Sequence, residues 1–338
     1  MTDAKEKYPN LFSPFDLGPT RLRNRTVIPG HSMALSRFEP GISDRYRAYL
    51  VTRAKGGAAL VGIESAPMHE TTQNAFSSAT VITDKATPSL AKTAEEVHAA
   101  GAALSIILWH GGHNIPHRGG APFAVAPSPI PSFRVRETPK VLTVKEIGEI
   151  VRGYGQAARR CYEAGVDVIE VQTATDYLLG NFMSHRINWR DDEYGGSLEN
   201  RMRIVVQALE AVREAVGDKI TVGVRTSVAH EIPTDPDDFA IEDSVSCMQH
   251  LAERGVIDYV SLLTGSHWAM GATIPPMTKP RLQISAEAAI FKKVLDVPVI
   301  VAGRIRTASE AELILTSGQA DLIAMARTWI AEPDWILK

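Results

Sequence analysis

Thr143-Val144-Lys145-Glu146-Ile147-Gly148-Glu149-Ile150-Val151, running on to Cys161-Tyr162-Glu163-Ala164-Gly165-Val166-Asp167-Val168-Ile169-Glu170-Val171-Gln172, holds one complete repeat of the fold. Thr143 and Glu146 have the spacing of a capping box, which starts a helix by satisfying its first free N–H groups. Ile147, Ile150, Val151, Tyr154, Ala158 and Cys161 follow at three and four spacing, the stripe of a helix buried on one face. Gly165 ends it, because glycine takes the left-handed conformation of a helix C-cap without strain. A short apolar run, Asp167–Gln172, begins two residues later. It is continuous rather than alternating, as expected of a parallel strand covered on both faces.

Outward from there the same unit recurs. Apolar runs lie at Thr26–Ile28, Ala58–Ile63, Leu104–Trp109, Ile220–Arg225, Asp258–Leu263, Pro298–Ala302 and Leu322–Ala326. Helices between them end at Gly57, Gly101, Gly255 and Gly318, and Thr307 with Glu310 makes a second capping box. Eight units favour a closed (β/α)8 barrel, an α/β TIM barrel, over an open doubly wound sheet. The first strand runs into Pro29-Gly30-His31-Ser32, which is not the glycine fingerprint of an open dinucleotide-binding sheet. Residues 1–338 are expected to form one barrel domain, with its site at the C-terminal ends of the strands. The proline-rich stretch from Gly111 to Leu142 follows the third strand and is expected over that mouth.

Composition narrows the function. The chain of 338 residues is 44% apolar and 22% charged, with a net charge of −3. That balance gives no electrostatic argument for nucleic acid or membrane partners and leaves a small molecule as the expected one. No run approaches the roughly 18 apolar residues of a membrane span. The first ten residues lack a signal peptide's apolar core, so a cytoplasmic location is expected. Cys161 and Cys247 sit in helical stripes and read as buried small hydrophobes. His110 and His113 fall in a strand-to-loop turn with no third ligand, so no metal is expected. The oligomeric state is open, a homo-oligomer included.

Three places read as chemistry. Gly303-Arg304 and Ala326-Arg327 close the last two apolar runs, where barrels bind phosphate; small residues there let backbone approach a ligand, and the two arginines add a charged fork suited to phosphate. Arg225 ends an apolar run and must meet either an anion or an internal carboxylate, since a buried unpaired charge is costly. The segment after the fourth strand, Gln172-Thr173-Ala174-Thr175-Asp176-Tyr177, carries several hydrogen-bonding side chains into the mouth.

Asp192-Glu193-Tyr194-Gly195-Gly196-Ser197-Leu198-Glu199-Asn200-Arg201 resembles the signature of the Old Yellow Enzyme superfamily. Leu22-Arg23-Asn24-Arg25, Leu108-Trp109-His110-Gly111-Gly112, Gly303 and Arg327 resemble the same family in the same order, across essentially the whole chain. The resemblance implies FMN at the C-terminal mouth and a hydride passed through flavin N5, with NAD(P)H as reductant. It places Pro29, Gly30 and His31 along the isoalloxazine, with Ile63 and Ile107 beside it. It puts Arg225 near N1 and O2, and the phosphate on the backbone around Gly303, Arg304, Ala326 and Arg327.

The family pattern breaks at the substrate side. Gln172 and Thr175 stand where the family has a carbonyl-binding His-x-x-His or His-x-x-Asn pair, and neither can supply a cation. Ile107 replaces the strand-three glutamine that bonds the flavin pyrimidine. Simple cyclic enones are therefore expected to turn over poorly. Two branches of the family resemble the chain here. In 2,4-dienoyl-CoA reductase a tyrosine acid and a histidine correspond to Tyr177 and His267, the latter within Thr264-Gly265-Ser266-His267-Trp268. In the trimethylamine dehydrogenase and N-methyl amino acid demethylase branch, a substrate-facing residue corresponds to Glu64; Trp268, beside His267, is also expected at the substrate. The resemblance thus implies reduction of an activated C=C, with Tyr177 as proton donor. Oxidation of an N-methyl or secondary amine is the alternative, and a flavin-binding barrel without turnover is a third reading. Both branches normally continue into an iron–sulfur segment. A [4Fe-4S] cluster is expected only if a longer chain continues past Lys338, which would make these residues the N-terminal part of a larger protein.

Overall fold

A computed structural model describes residues 2–36, 40–72, 79–115, 123–235 and 238–338. Eight parallel strands close a barrel: β1 (Thr26–Ile28), β2 (Leu60–Pro67), β3 (Ala103–Trp109), β4 (Val168–Gln172), β5 (Thr221–Ser227), β6 (Tyr259–Leu263), β7 (Val299–Ala302) and β8 (Leu322–Ala324). β8 returns to β1 through the pairs Ile323–Thr26 and Ala324–Val27. The helices that cover the ring are α1 (Asp44–Lys55), α2 (Thr87–Ala99), α3 (Val144–Glu163), α4 (Leu198–Val216), α5 (Ile241–Glu253), α6 (Ser285–Val294), α7 (Ala308–Thr316) and α8 (Arg327–Ala331). Both expected capping boxes form, at Thr143 with Glu146 and at Thr307 with Glu310. Gly165 and Gly318 have φ of 81° and 69°, the left-handed values a helix exit there demands.

Two strands run past their expected ends. β2 continues from Ile63 to Pro67 through a bulge between Ile63 and Ser65, which sets Glu64 out of register. β5 continues to Ser227, so Arg225 lies inside the strand, paired with Gln172, rather than at its tip.

The N-terminal end of the barrel is plugged by a hairpin, Phe15–Leu17 with Thr20–Leu22. Leu17 and Leu22 pack there with Val27, Leu60, Val168, Ile300 and Leu322 in a core separate from the main one. Arg23 then donates to the carbonyls of Ala54, Ala58 and Ala100. Asn24 donates to Gly57 and accepts from Thr26. The Leu22–Arg25 motif is thus a clasp: it satisfies carbonyls left free where α1 and α2 end.

The family-like signature is a clasp too. Arg201 donates to the carbonyl of Met183, and Asn188 donates to those of Phe182 and Tyr194. A Cβ on Gly195 would fall 2.0 Å from the Arg190 carbonyl. These bonds seat α4 on the short helix Leu178–Met183 that follows β4. In the proline-rich loop, residues 116–122 lie outside the described ones. Its far half reaches the mouth, where Phe133 packs on Trp268 of the β6 loop with ring centroids 5.2 Å apart.

Candidate active site

The barrel floor beneath the mouth holds a charged pair. Glu170 on β4 is buried, and its Oε1 lies 2.8 Å from Arg225 Nε. Its Oε2 accepts from the Tyr259 hydroxyl at 3.0 Å. Gly223 makes the room, since a Cβ there would meet the Tyr259 ring at 2.1 Å. Arg225 also donates through Nη1 to the Gly30 carbonyl at 2.9 Å, tying β5 to the end of β1. The internal carboxylate partner for Arg225 is therefore present, and it leaves Nη2 without an acceptor among the described residues. Beside it, Gln172 is buried with its Oε1 unpartnered. A buried acceptor without a donor is costly in a finished structure and points to a ligand N–H.

At the end of β1 the backbone lies flush against its neighbours. A Cβ on Gly30 would fall 2.3 Å from the Ile63 carbonyl and 2.6 Å from Ile107 Cδ1. Ile63 and Ile107 are both buried, so an apolar floor replaces the amide the family carries at position 107. His31 is held by two bonds: Nδ1 to the Pro29 carbonyl at 2.7 Å and Nε2 to the Tyr49 hydroxyl at 2.8 Å. Only the tautomer with Nδ1–H satisfies both, and burial lowers the imidazole's affinity for a second proton.

At β7 and β8 the side chains and the backbone divide their roles. Arg304, at φ 53°, donates to the carbonyls of Pro276, Met277 and Lys279. Arg327 donates to Pro275. Both guanidinium groups thus tether the β6 loop instead of forming a free fork. Among the described residues, outside regular ladders, no acceptor meets the backbone N–H of Gly303, Arg304, Ala326 or Arg327. Free N–H groups in that position are phosphate donors.

The fourth strand ends in a strained turn. Thr175 and Asp176 have φ of 60° and 50°, values that cost an ordinary side chain free energy and persist only when surroundings impose them. Ser227 Oγ accepts from the Thr175 N–H, and the Thr175 hydroxyl turns back to the Ala174 carbonyl. Tyr177 then stands between two rings, edge-on to Trp109 at 5.2 Å and to His267 at 5.0 Å. Burial, with the Asp176 charge beside it, pushes the Tyr177 phenol up to about 12. Burial alone would raise the Asp176 carboxyl, but the facing histidines His113 and His267 outweigh it and hold it well below the carboxylate range. Trp268 is stacked by the Arg186 guanidinium at 4.7 Å and has a buried, unpartnered Nε1.

The structure brings Thr175, Tyr177 and His267 together, with Gln172 at the end of β4 paired with Arg225 on the adjacent β5. It does not bring Glu64 to them as a free carboxylate: Oε2 accepts from the backbone N–H of Met33 at 3.0 Å and of Ala34 at 3.4 Å. His110 and His113 diverge, the first to Thr71 Oγ1 and the second toward Asp176 and Asn181. Burial pushes both cysteine thiols up to about 12, so they stay unreactive thiols. Sequence reasoning missed Glu170 and Asp176. Glu170 had a signal, one carboxylate inside an apolar strand beside another strand carrying Arg225. Asp176 had none, because its partners come from loops after β3 and β6.

Free backbone donors at the last two strands and a cation on β5 suit a phosphate-bearing ligand in the mouth of this parallel barrel. The chain belongs to the NADH:flavin oxidoreductase / NADH oxidase family, whose model matches residues 10–338, within the Old Yellow Enzyme superfamily. It is 33% identical over 97% of its length to an NADH oxidase of Thermoanaerobacter brockii, covering 50% of that protein. It is likewise 33% identical over 97% of its length to an N,N-dimethylglycine/sarcosine dehydrogenase of Chromohalobacter salexigens, covering 48% of that protein. The chain spans about half the length of both. Among solved structures, a 2-naphthoyl-CoA reductase superposes with a TM-score of 0.90 at 27% identity, over 98% of this chain and 52% of that one.

Proposed function

We propose that the chain is an FMN-dependent NAD(P)H oxidoreductase that reduces an activated C=C bond. The carrying observation is Tyr177: a phenol that burial keeps protonated, fixed between Trp109 and His267 at the end of β4. A proton donor must hold its proton until the acceptor carbon needs it, and a phenol at about 12 does so throughout the neutral range.

The residues present fit FMN. The unpartnered Oε1 of Gln172 would accept the flavin imide N–H. Arg225 would meet the pyrimidine oxygen, its charge moderated by Glu170. The backbone N–H groups of Gly303, Arg304, Ala326 and Arg327 would hold the phosphate. FMN supplies hydride acceptance from the nicotinamide and hydride donation to the substrate. Against amine oxidation stands Glu64, whose Oε2 is already engaged by the Met33 and Ala34 backbone N–H groups.

Anaerobic spectra of the FMN-loaded protein test this. NADH or NADPH should bleach the flavin, and a conjugated unsaturated thioester or ketone should restore its colour. Bleaching by an N-methyl amine, with no reoxidation by any unsaturated acceptor, overturns the reading in favour of demethylation. Colour that neither donor bleaches leaves a flavin-binding barrel.

A further inference from the structure

The Asp176 carboxylate is completely enclosed, with no exposed surface. Its Oδ1 accepts from the His267 backbone N–H at 2.8 Å and lies 2.8 Å from His267 Nδ1. Its Oδ2 lies 3.3 Å from Asn114 Nδ2 and 3.5 Å from His113 Nε2. Its backbone carbonyl accepts from Asn114 and Asn181. An ionised carboxylate buried without a counter-charge costs several kcal/mol, so a cationic neighbour would stabilise it beyond what its N–H donors supply.

Among the described residues, the groups facing it from the packed elements are few. After β3 come His113 and Asn114, on the following short helix Asn181, after β6 His267, and on its own turn Tyr177. Only the two histidines can carry charge. His113 Nδ1 faces the Ile130 carbonyl at 3.0 Å, which can only accept, so that nitrogen carries a proton. His113 Nε2 faces the Asn181 amide nitrogen at 3.2 Å. That amide is oriented by its 2.7 Å bond to the Asp176 carbonyl, so it donates and Nε2 accepts. The 3.5 Å distance from His113 to Asp176 is longer than the roughly 2.7–2.9 Å of a charge-assisted bond. His267 meets that standard. Its Nδ1 faces only acceptors, Asp176 Oδ1 and the Thr175 carbonyl, each at 2.8 Å. Its Nε2 has no partner among the described residues and is not sealed from solvent.

We propose that Asp176 is a positioning residue that holds His267 as an imidazolium, with Nε2–H presented to the mouth beside Tyr177. The cation that positions 172 and 175 lack is then supplied from the loop after β6, where it can meet negative charge developing on a substrate oxygen. Its catalytic meaning rests on the proposed reduction of an activated C=C, but its structural content does not.

The direct test is a nitrogen-15 spectrum of the histidine rings in the FMN-loaded protein at pH 7, with the His267 signals identified by their loss in His267→Gln. Both His267 nitrogens should be protonated, and Asp176→Asn should return Nε2 to the unprotonated form. An unprotonated Nε2 in the unaltered protein overturns the proposal, as does an imidazolium that survives Asp176→Asn. If Asp176→Asn does not fold, the unaltered protein's spectrum decides alone. In the half-reactions, Asp176→Asn should slow reoxidation by an unsaturated acceptor by about 10²-fold. Bleaching by NAD(P)H should stay within a few-fold. Equal loss in both half-reactions, or none in either, counts against the positioning role. A failure of NAD(P)H to bleach the unaltered protein would instead sink the proposed function and leave the ring spectrum standing.

Discussion

The stretch from Asp191 to Arg201 and the stretch from Gln172 to Tyr177 lie on either side of one short helix, yet they carry opposite kinds of information. The first matches its family almost residue for residue, and every contact it makes is architectural. Arg190 pairs with Asp192, Arg201 caps the Met183 carbonyl, and Asn188 ties Phe182 to Tyr194. The second departs from the family, has two residues at positive φ, and faces the mouth with Gln172, Tyr177 and, through Asp176, His267. A signature that names a family can thus be a device for holding loops. In the proposed function the chemistry belongs to the neighbouring segment, where the pattern breaks.

The comparison is sharpest at Tyr177. Tyr177→Phe removes the proton donor and keeps the ring that packs on Trp109 and His267. Reoxidation of the flavin by an unsaturated acceptor should slow by about 10²–10⁴-fold. Reduction by NAD(P)H should be nearly unchanged, because it needs no proton from the phenol. Stopped-flow absorbance of each half-reaction separates the two. Equal slowing of both would move Tyr177 from proton transfer to flavin or nicotinamide binding.

A second variant asks whether the break in pattern explains substrate choice. Gln172→His with Thr175→Asn restores the family's pair, and cyclohexenone reduction should rise by about 10²-fold. FMN retention, read by absorbance after gel filtration, should weaken at the same time if Gln172 Oε1 is a cofactor acceptor. An unchanged enone rate with FMN still bound would show that the chain's own His267 already fills that need.

Gly195→Ala tests the other side of the comparison. The added methyl would meet the Arg190 carbonyl at 2.0 Å, so backbone must shift. Overpacking of this kind costs about 1–3 kcal/mol. Denaturant unfolding should show that loss, while the ratio of the two half-reaction rates stays fixed. A changed ratio would mean the signature reaches into the chemistry.

Much of this fold was legible. Glycine exits, capping boxes and continuous apolar runs are local signals, and each was read where it stands. Strand ends were not, at β2 and β5. The Glu64 bulge and the extension to Ser227 depend on cross-strand register, which one segment cannot encode. The free backbone donors at β7 and β8 follow from position in a barrel, because backbone there points at the mouth whatever the side chains do. Arg304 and Arg327 show the limit. Their type suggested a phosphate fork, but the loop carbonyls that claim them lie some 25 to 52 residues away in sequence. Asp176 escaped notice for the same reason, its histidines arriving from two other loops.

The buried polar network should show in acid. His110 is enclosed and its proton affinity is held well below normal by burial, then by His69. Below about pH 6.5 the unfolded chain binds a proton that folded His110 does not, so stability falls as pH falls. Asp176 acts in the same direction at lower pH, because its folded value is depressed and its contribution disappears as the carboxyl is protonated. The melting temperature should decline as pH falls below about 6.5. A level profile down to pH 5 would show that His110 takes up its proton in the folded state.

The smallest effect concerns the strained turn itself. Thr175 is β-branched and sits at φ 60°, a region in which asparagine is several-fold enriched and branched residues are outliers. Its hydroxyl bonds the Ala174 carbonyl and also faces the Tyr177 phenol, an interaction the amide of asparagine can replace, while its N–H is held by Ser227 whatever side chain is present. Thr175→Asn alone keeps that backbone bond and suits the left-handed conformation better, so it should stabilise the fold by up to about 1 kcal/mol. Denaturant unfolding with an unchanged slope would register the gain. A loss of stability would mean that threonine's methyl group is packed in the turn more tightly than its strain costs. The positive φ would then be paid for at position 175 itself, and not by the carboxylate of Asp176 next to it.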